Sequence, residues 1–360
     1  MSRKKRILYI TNMYPADEKN PSREIFIKSI EINFVNDGYE IKKVVIKRRN
    51  YNFIKKLKQY IQFYVKIFYS FFFEKYDLIY VHYVNHSLVP FFFLRYFLRR
   101  PFIINAHGGD LIPISKFSKL LLRINSSTFK YVNLFVVPSN FFRELLIDKY
   151  NIKKEIIFVT PSAGVNTNLF KPRNIKKEDF FTVGCVSRIE EGKGWNVLME
   201  SIIYLRNNGI KFKTILVGGG KELKKLKKIV ENNNLSSNVL ILGSIPHEKL
   251  PVIYNSFDVF VFPTQRIESL GLVAIEAMAC GVPVIAPPIG GITDYLLDGK
   301  NGFYFNQGNS IDLAHKIEKY INLEPEKKKE LKFEALRISK NFNQEVVNQK
   351  FVEYIKTRFL

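Results

Sequence analysis

Val259-Phe-Val-Phe262 is a strand-length apolar run, and a polar stretch separates it from Glu268-Ser-Leu-Gly-Leu-Val-Ala-Ile-Glu276-Ala-Met-Ala-Cys-Gly-Val-Pro283, which leads into a second apolar run ending at Ile285. The middle segment has helical length and period, so the stretch reads as strand, helix, strand. The same alternation runs outward in both directions. Upstream, strands are expected at Ile7–Thr11, Ile41–Ile46, Leu78–His82, Phe102–Asn105, Leu134–Val137 and Ile156–Val159. A second series is expected at Phe181–Val186, Lys213–Val217, Val239–Leu242, Val259–Phe262, Val282–Ile285 and Phe303–Phe305. Strands separated by helical segments form parallel sheets covered by helices. The sequence therefore predicts an α/β protein of two Rossmann-like domains, over residues 1–165 and 175–340, with parallel sheets facing a central cleft. The Pro- and Gly-containing stretch 161–177 is the expected linker. A closing helix over 344–360 is expected to pack back on the first domain.

A length of 360 residues fits two cores better than one. With 46% hydrophobic and 25% charged residues, the composition excludes disordered and collagen-like classes. Cys185 and Cys280 lack metal-ligand spacing and form no dense disulfide framework, which fits a reducing cytoplasm. The basic N-terminus runs into Ile7–Ile10 and then polar Thr11-Asn12, the pattern of a first strand rather than an export signal. The greasiest run lies between Lys66 and Glu74 and is too short to span a bilayer.

The net charge of +23 is unevenly placed: residues 1–175 hold 30 Lys and Arg against 12 Asp and Glu. Such a field attracts an anionic surface, either nucleic acid or a leaflet of acidic lipids. No zinc-finger spacing or RNA-recognition signature supports nucleic acid. From Ile41 to Phe73 there are nine basic residues and no acidic one, and Tyr51–Phe73 holds ten aromatics. A helix there would gather Ile54, Leu57, Ile61, Tyr64, Val65, Phe68 and Phe72 on one face, with Lys55, Gln59, Gln62 and Lys66 largely opposite. That face either covers the sheet as a crossover helix or meets an anionic membrane.

The chemistry centres on residues 268–276. Gly271 near the helix start lets a ligand approach the backbone, and the first-turn N–H groups of a helix suit a phosphate. Carboxylates bind sugar hydroxyls well, so Glu268 and Glu276 on either side of a diphosphate suit a hexose and a nucleoside. Read along one helix, their spacing is about 12 Å, beyond the roughly 5–9.5 Å of a glycosidase pair. In Val186-Ser-Arg188-Ile-Glu-Glu-Gly192-Lys193-Gly194, Arg188 and Lys193 are candidate partners of a pyrophosphate leaving group. Val217-Gly218-Gly219-Gly220 is either a tight strand-to-helix turn or a close approach for the nucleotide; the P-loop spacing is absent.

These elements resemble the retaining glycosyltransferases of family 4, which have the two-domain GT-B fold. The resemblance rests on His107-Gly-Gly-Asp110, Ala163-Gly-Val-Asn166, Arg188 and Lys193, Glu268 and Glu276, and Gly281-Val-Pro-Val-Ile-Ala286, in this order along the chain. It implies that Glu268 contacts the transferred sugar, Glu276 the ribose, and the basic pair the diphosphate. Ser269, Leu270, Gly271 and Leu272 would complete the donor site, Gly218 would line it, and Ile245 would lie beside the base. His107 would meet the donor sugar, with Asp110 orienting that pocket. Many relatives place a Gly-Gly loop after the first strand; here it reads Asn20-Pro-Ser22-Arg23-Glu24, so Ser22 and Arg23 are candidates for the acceptor side.

The expected activity is transfer of a hexose-type sugar from a nucleotide diphosphate-sugar, UDP favoured and GDP possible, with retention. The expected acceptor is a lipid-linked glycan of polysaccharide or lipopolysaccharide synthesis, at the inner face of the cytoplasmic membrane. No Asp-x-Asp motif occurs, and no metal or other cofactor is expected. A transferase for soluble acceptors is the alternative, and a nucleic-acid-binding protein is the reading from a different class.

Overall fold

The structure is a computed structural model, and it describes residues 3–15, 25–47, 52–175 and 180–360, without the side chains of Ile25 and Phe26. By internal contacts the chain divides into two units, Met1–Gly164 with Glu345–Leu360, and Val165–Gln344.

In the first unit the elements run β1 (Arg6–Tyr14), α1 (Ile25–Asn36), β2 (Glu40–Lys47), α2 (Phe53–Phe73), β3 (Leu78–His82), α3 (Phe91–Leu94), β4 (Phe102–Asn105), α4 (Lys116–Ser126), β5 (Leu134–Val137), α5 (Asn140–Tyr150) and β6 (Ile157–Val159). The six strands form one parallel sheet in the order β2-β1-β3-β4-β5-β6. Successive residues of a strand point to opposite faces. Leu8 and Ile10 of β1, with Ile79 and Val81 of β3, therefore join the core under α2, while Ile7, Tyr9, Leu78 and Tyr80 face the other side. There α1 contributes Ile27, Ile30 and Phe34, and the chain's last helix contributes Phe351, Val352 and Ile355.

In the second unit β7 (Thr182–Val186), α6 (Trp195–Asn207), β8 (Lys213–Val217), α7 (Leu223–Asn232), β9 (Val239–Gly243), α8 (Leu250–Ser256), β10 (Val259–Val261), α9 (Leu272–Ala279), β11 (Val284–Ala286), β12 (Gly302–Tyr304), α10 (Ser310–Ile321) and α11 (Pro325–Ser339) build a second parallel sheet, ordered β12-β11-β10-β7-β8-β9. Phe260, Phe262 and the apolar side of α9 fill one face. Val259, Val261, Val183 and Cys185 fill the other with α6 and α10. Cys185 and Cys280 are both buried and unbonded. Val165 N donates to Phe342 O and Gln344 N to Val165 O, so the segments entering and leaving this unit run side by side. The chain then closes with α12 (Gln344–Phe359), which belongs to the first unit except for its first residue.

One expectation is corrected. α2 forms, capped by Asn52 Oδ1 accepting from Lys55 N at 3.1 Å, but it buries Phe63, Ile67 and Phe71. Tyr64 and Phe68 are only partly covered, and Ile54, Leu57, Ile61, Val65 and Phe72 are exposed. Apolar residues occupy most of the helix circumference, so periodicity alone does not select the face that meets the sheet.

Candidate functional site

In an open parallel sheet, ligands bind beyond the carboxyl ends of strands where the strand order reverses. In the second unit that point lies between β7 and β10, which are neighbours in space and far apart in sequence. The loops leaving these two strands carry the predicted donor residues. Lys193 Nζ donates to Glu268 Oε1 at 2.7 Å, and Thr264 Oγ1 donates to the same oxygen at 2.8 Å. Both members of the ion pair are mostly buried, with side chains 14% and 15% exposed. Neither bond takes Oε2.

Glu268 stands in the loop and not on the helix, because α9 begins only at Leu272. The 12 Å helical spacing expected between the two glutamates therefore does not apply. Gly271 sets this boundary as the N-cap, at φ 81°, where a side chain is strained. A Cβ there would also lie 2.7 Å from the Phe262 ring. Ser269, Gly271 and Leu272 are partly exposed at the start of α9, while Leu270 anchors the loop in the core.

Glu276 lies one helical turn further on and is buried. His247 Nε2 donates to its Oε1 at 2.8 Å and the Tyr254 hydroxyl to its Oε2 at 2.9 Å. The hydrogen bond to Glu276 raises the His247 pKa against the opposing effect of burial. Each carboxylate oxygen has a second lone-pair direction beyond the bond it accepts here. Arg188 is exposed and pairs with Glu190 at 3.0 Å, so the two predicted basic residues answer different carboxylates. Gly218, at φ 140°, passes so close to Ser187 that a Cβ would sit 1.8 Å from its carbonyl oxygen; this brings the β8 loop against the β7 loop. Ile245 packs on the core beyond β9.

In the first unit the reversal falls at β1 and β3, and a histidine pair stands there. The Tyr9 hydroxyl donates to Ile27 O at 2.6 Å and lies 2.5 Å from His82 Nε2. Having given its hydrogen away, Tyr9 accepts from His82 Nε2–H. Burial, then the neighbouring imidazole, hold His82 well below the usual histidine range. A neutral ring protonated at Nε2 has a bare Nδ1, which accepts from His107 Nε2 at 2.9 Å. His107, lowered to about 3 by burial, is thereby fixed as the Nε2–H tautomer. Asp110 locks the surrounding backbone: Oδ1 accepts from His107 N and Oδ2 from Val84 N, both at 2.9 Å. The intervening Tyr83 has φ 68°, unusual for a residue with a Cβ, and its ring lies 4.4 Å from that of His107.

The sequence pattern missed Thr264, Tyr254, Tyr83 and Tyr9. A polar residue in the loop three positions beyond β10 was the available signal for Thr264; Tyr9 in β1 and Tyr254 in α8 look like core aromatics, and Tyr83 in the loop after β3 carries no signal of its own. Ser22 and Arg23 lie outside the described residues. Among the described residues no group of three His, Cys, Asp or Glu side chains is placed to hold a metal ion. His82 is engaged as above, and His86 packs between Tyr60 and Phe117.

The profile of group 1 glycosyl transferases matches residues 166–336, and that of glycosyltransferase family 4 matches residues 16–168. Among curated relatives, a GDP-mannose-dependent alpha-(1-6)-phosphatidylinositol monomannoside mannosyltransferase of Mycolicibacterium smegmatis is 35% identical over 36% of this chain and 35% of its own length. The capsular polysaccharide biosynthesis glycosyltransferase CapM of Staphylococcus aureus is 37% identical over 40% of this chain and 37% of its own. These matches span little more than a third of either relative. Two solved structures align along nearly the whole chain and share its fold. Sucrose-phosphate synthase of Thermosynechococcus elongatus has a TM-score of 0.77 at 21% identity, covering 99% of both chains. HepE of Anabaena, in complex with UDP, has a TM-score of 0.74 at 21% identity, covering 98% of this chain and 100% of its own. The two profiles follow one another across both units, and the chain belongs to glycosyltransferase family 4, with the GT-B fold of two Rossmann-like domains.

Proposed function

We propose that this protein moves a hexose-type sugar from a UDP- or GDP-linked donor to a hydroxyl of a lipid-linked glycan, with retention and without a metal, at the inner face of the cytoplasmic membrane. The observation that carries this reading is the meeting of Lys193, Thr264 and Glu268 beside the first turn of α9, with Glu276 one turn on. A diphosphate suits the helix start and the ammonium, and each carboxylate suits a hydroxylated ring. The named relatives, one GDP-mannose-dependent and one of capsular polysaccharide synthesis, agree with such a donor and such a product. The excess charge of the first 175 residues agrees with an acceptor carried on an anionic surface.

In the proposed reaction the bond from the sugar C1 to the β-phosphate oxygen breaks, and the acceptor oxygen bonds C1 on the same face. The departing phosphate oxygen takes the acceptor's proton, so the step is balanced without a further base. Charge grows on the leaving diphosphate. Lys193 has two N–H bonds beyond the one given to Glu268, and with the α9 amides and the Arg188 fork it neutralises that charge in place. Glu268 orients the sugar, and Glu276, held by His247 and Tyr254, receives the ribose. His107 meets the sugar, and Asp110 sets its backbone.

The test is incubation of the full chain with UDP- and GDP-sugars, membrane-extracted lipid-linked glycan and EDTA, following nucleoside diphosphate release and the anomeric configuration of the product. Transfer with retention is expected; nucleoside diphosphate release without glycosylation of the acceptor, no release from any donor, or an inverted product would overturn the reading.

A further inference from the structure

Most of the exposed large apolar side chains among the described residues belong to the first unit. On α2, Ile54, Leu57, Ile61, Val65, Tyr69 and Phe72 recur every three or four residues and are all exposed, so they form one stripe along the helix. Phe53 and Phe73, 80% and 75% exposed, extend it at both ends. The stripe does not stop there. The Phe72 ring meets that of Phe97 at 5.8 Å, and His86 bridges Tyr60 of α2 to Phe117 of α4. Between α3 and α4 an apolar groove of about 650 Å³ is walled by Phe92, Phe93, Leu120, Leu121 and Ile124, with Arg123 at its edge. The Arg95 guanidinium lies 4.2 Å over Phe92 and bonds Ser127, placing a second cation beside the groove.

Charge identifies what covers this face. Between residues 41 and 143 the acidic residues are Glu74, Asp77 and Asp110 alone. Glu74 pairs with Lys42, Asp77 with Arg3, and Asp110 is buried. Lys55, Lys56, Lys58, Lys66, Lys116 and Lys119 therefore flank the apolar surface with no carboxylate of their own helices to answer them. A second copy would oppose cation to cation. Nucleic acid would satisfy the charge but gain nothing from Ile54, Leu57, Ile61 and Val65, which offer no ring for a base to stack on. A monolayer of anionic lipid satisfies both parts, as it does for helices lying in the headgroup boundary.

We propose that α2 inserts its exposed stripe into the interfacial region of an anionic lipid leaflet, and that the α3–α4 groove receives one hydrocarbon chain of a lipid there. This deepens the transferase reading, on which it rests for a lipid-borne acceptor. The attachment is then hydrophobic as well as electrostatic. It persists in 1 M salt, where screening over about 3 Å removes most of the charge attraction.

The experiment uses the full chain carrying Ile61→Trp or Leu120→Trp, with vesicles of 70% phosphatidylcholine and 30% phosphatidylglycerol, plain or brominated on their acyl chains. Trp195 is buried in the other unit and gives a constant background. Both new tryptophans are expected to lose at least half their emission to the brominated vesicles, at 0.15 M and at 1 M NaCl. Replacing Leu57, Ile61, Val65 and Tyr69 together by Ser is expected to weaken vesicle binding at least tenfold. These side chains are exposed, and a normal thermal transition in the same variant verifies its fold. Complete release at 1 M salt, a Trp at position 120 that bromine does not quench, displacement by single-stranded RNA, or a dimer that hides the stripe would each overturn the proposal. The vesicles carry no acceptor and no donor is added, so quenching reports on this proposal alone; the transferase reading fails separately, in the assay with nucleotide sugars and lipid-linked glycan, and its failure there would leave the quenching unchanged.

Discussion

His107 Nε2 lies 2.9 Å from His82 Nδ1, and the Tyr9 hydroxyl, 2.5 Å from the far nitrogen of His82, decides which ring carries which hydrogen. The order of donors runs from His107 through His82 and Tyr9 to the carbonyl of Ile27, and it leaves His107 one tautomer.

Tyr9→Phe removes the acceptor that orients His82, so both imidazoles gain a second tautomer. The expected result is a fall in kcat of about fivefold with donor KM nearly unchanged, since a hydrogen bond of order 1 kcal/mol is lost and His107 acts, in the proposed reaction, on the transferred sugar alone. Nitrogen-15 NMR of the imidazoles should show one protonation pattern in the wild type and a mixture in the variant. Identical spectra would refute the assigned order of donors.

Lys193→Ala leaves a mostly buried Glu268 without its cation and, in the proposed reaction, the leaving diphosphate without one of its donors. Activity should fall by at least 100-fold and stability by about 1–3 kcal/mol. Thr264→Val, which removes the second bond to the same oxygen, should cost about 1 kcal/mol and a smaller share of activity. Kinetics and urea unfolding of the two variants check this. A smaller loss from Lys193→Ala than from Thr264→Val is the contrary outcome.

The pairing of His247 with Glu276 predicts a pH dependence whose sign is fixed. His247 has a folded pKa raised chiefly by its hydrogen bond to Glu276. Its stabilising contribution is therefore fully present below the ordinary histidine value near 6.5 and lost as pH rises through the elevated folded value. His247→Gln retains a donor for Glu276 without a titrating group. The melting temperature of the wild type should fall more steeply than that of the variant from pH 6 to 9; equal slopes would exclude the pairing as its source.

Most of the strand pattern was legible because buried parallel strands are short apolar runs with little else to confuse them. Leu78–His82, Phe102–Asn105, Leu134–Val137 and Lys213–Val217 fall where the sequence alone put them. The place of Glu268, Gly271 and Glu276 beyond β10 was legible because a strand, a glycine and a helix start occur in fixed order there. The face of α2 was not, since Phe63, Ile67 and Phe71 compete with an equally apolar stripe and only the sheet decides between them. Tyr254, buried against Glu276, was hidden for a different reason: a phenol inside an apolar helix looks like any other core aromatic.

Phe351 of α12 packs against Phe34, Tyr80 and Phe158, so the end of the chain completes a core begun by its first strand. Phe351→Ala should destabilise the first unit by about 3–5 kcal/mol. It should leave donor binding in the second unit intact. Denaturant unfolding followed by donor titration checks both, and an unchanged midpoint would contradict the packing.

The central claim, that the second unit holds a nucleoside diphosphate-sugar between two carboxylates, is tested most directly by the affinity of the full chain and its Glu268→Ala and Glu276→Ala variants for UDP, GDP and their sugar conjugates. A ligand that binds the folded state alone raises its apparent stability, so thermal shift and calorimetry report on the same event. The account predicts that at least one conjugate binds the wild type, that Glu276→Ala weakens nucleotide and conjugate alike, and that Glu268→Ala weakens the conjugate while sparing the free nucleotide. Undiminished affinity for both ligands in both variants, or no binding of any conjugate by the wild type, would contradict it.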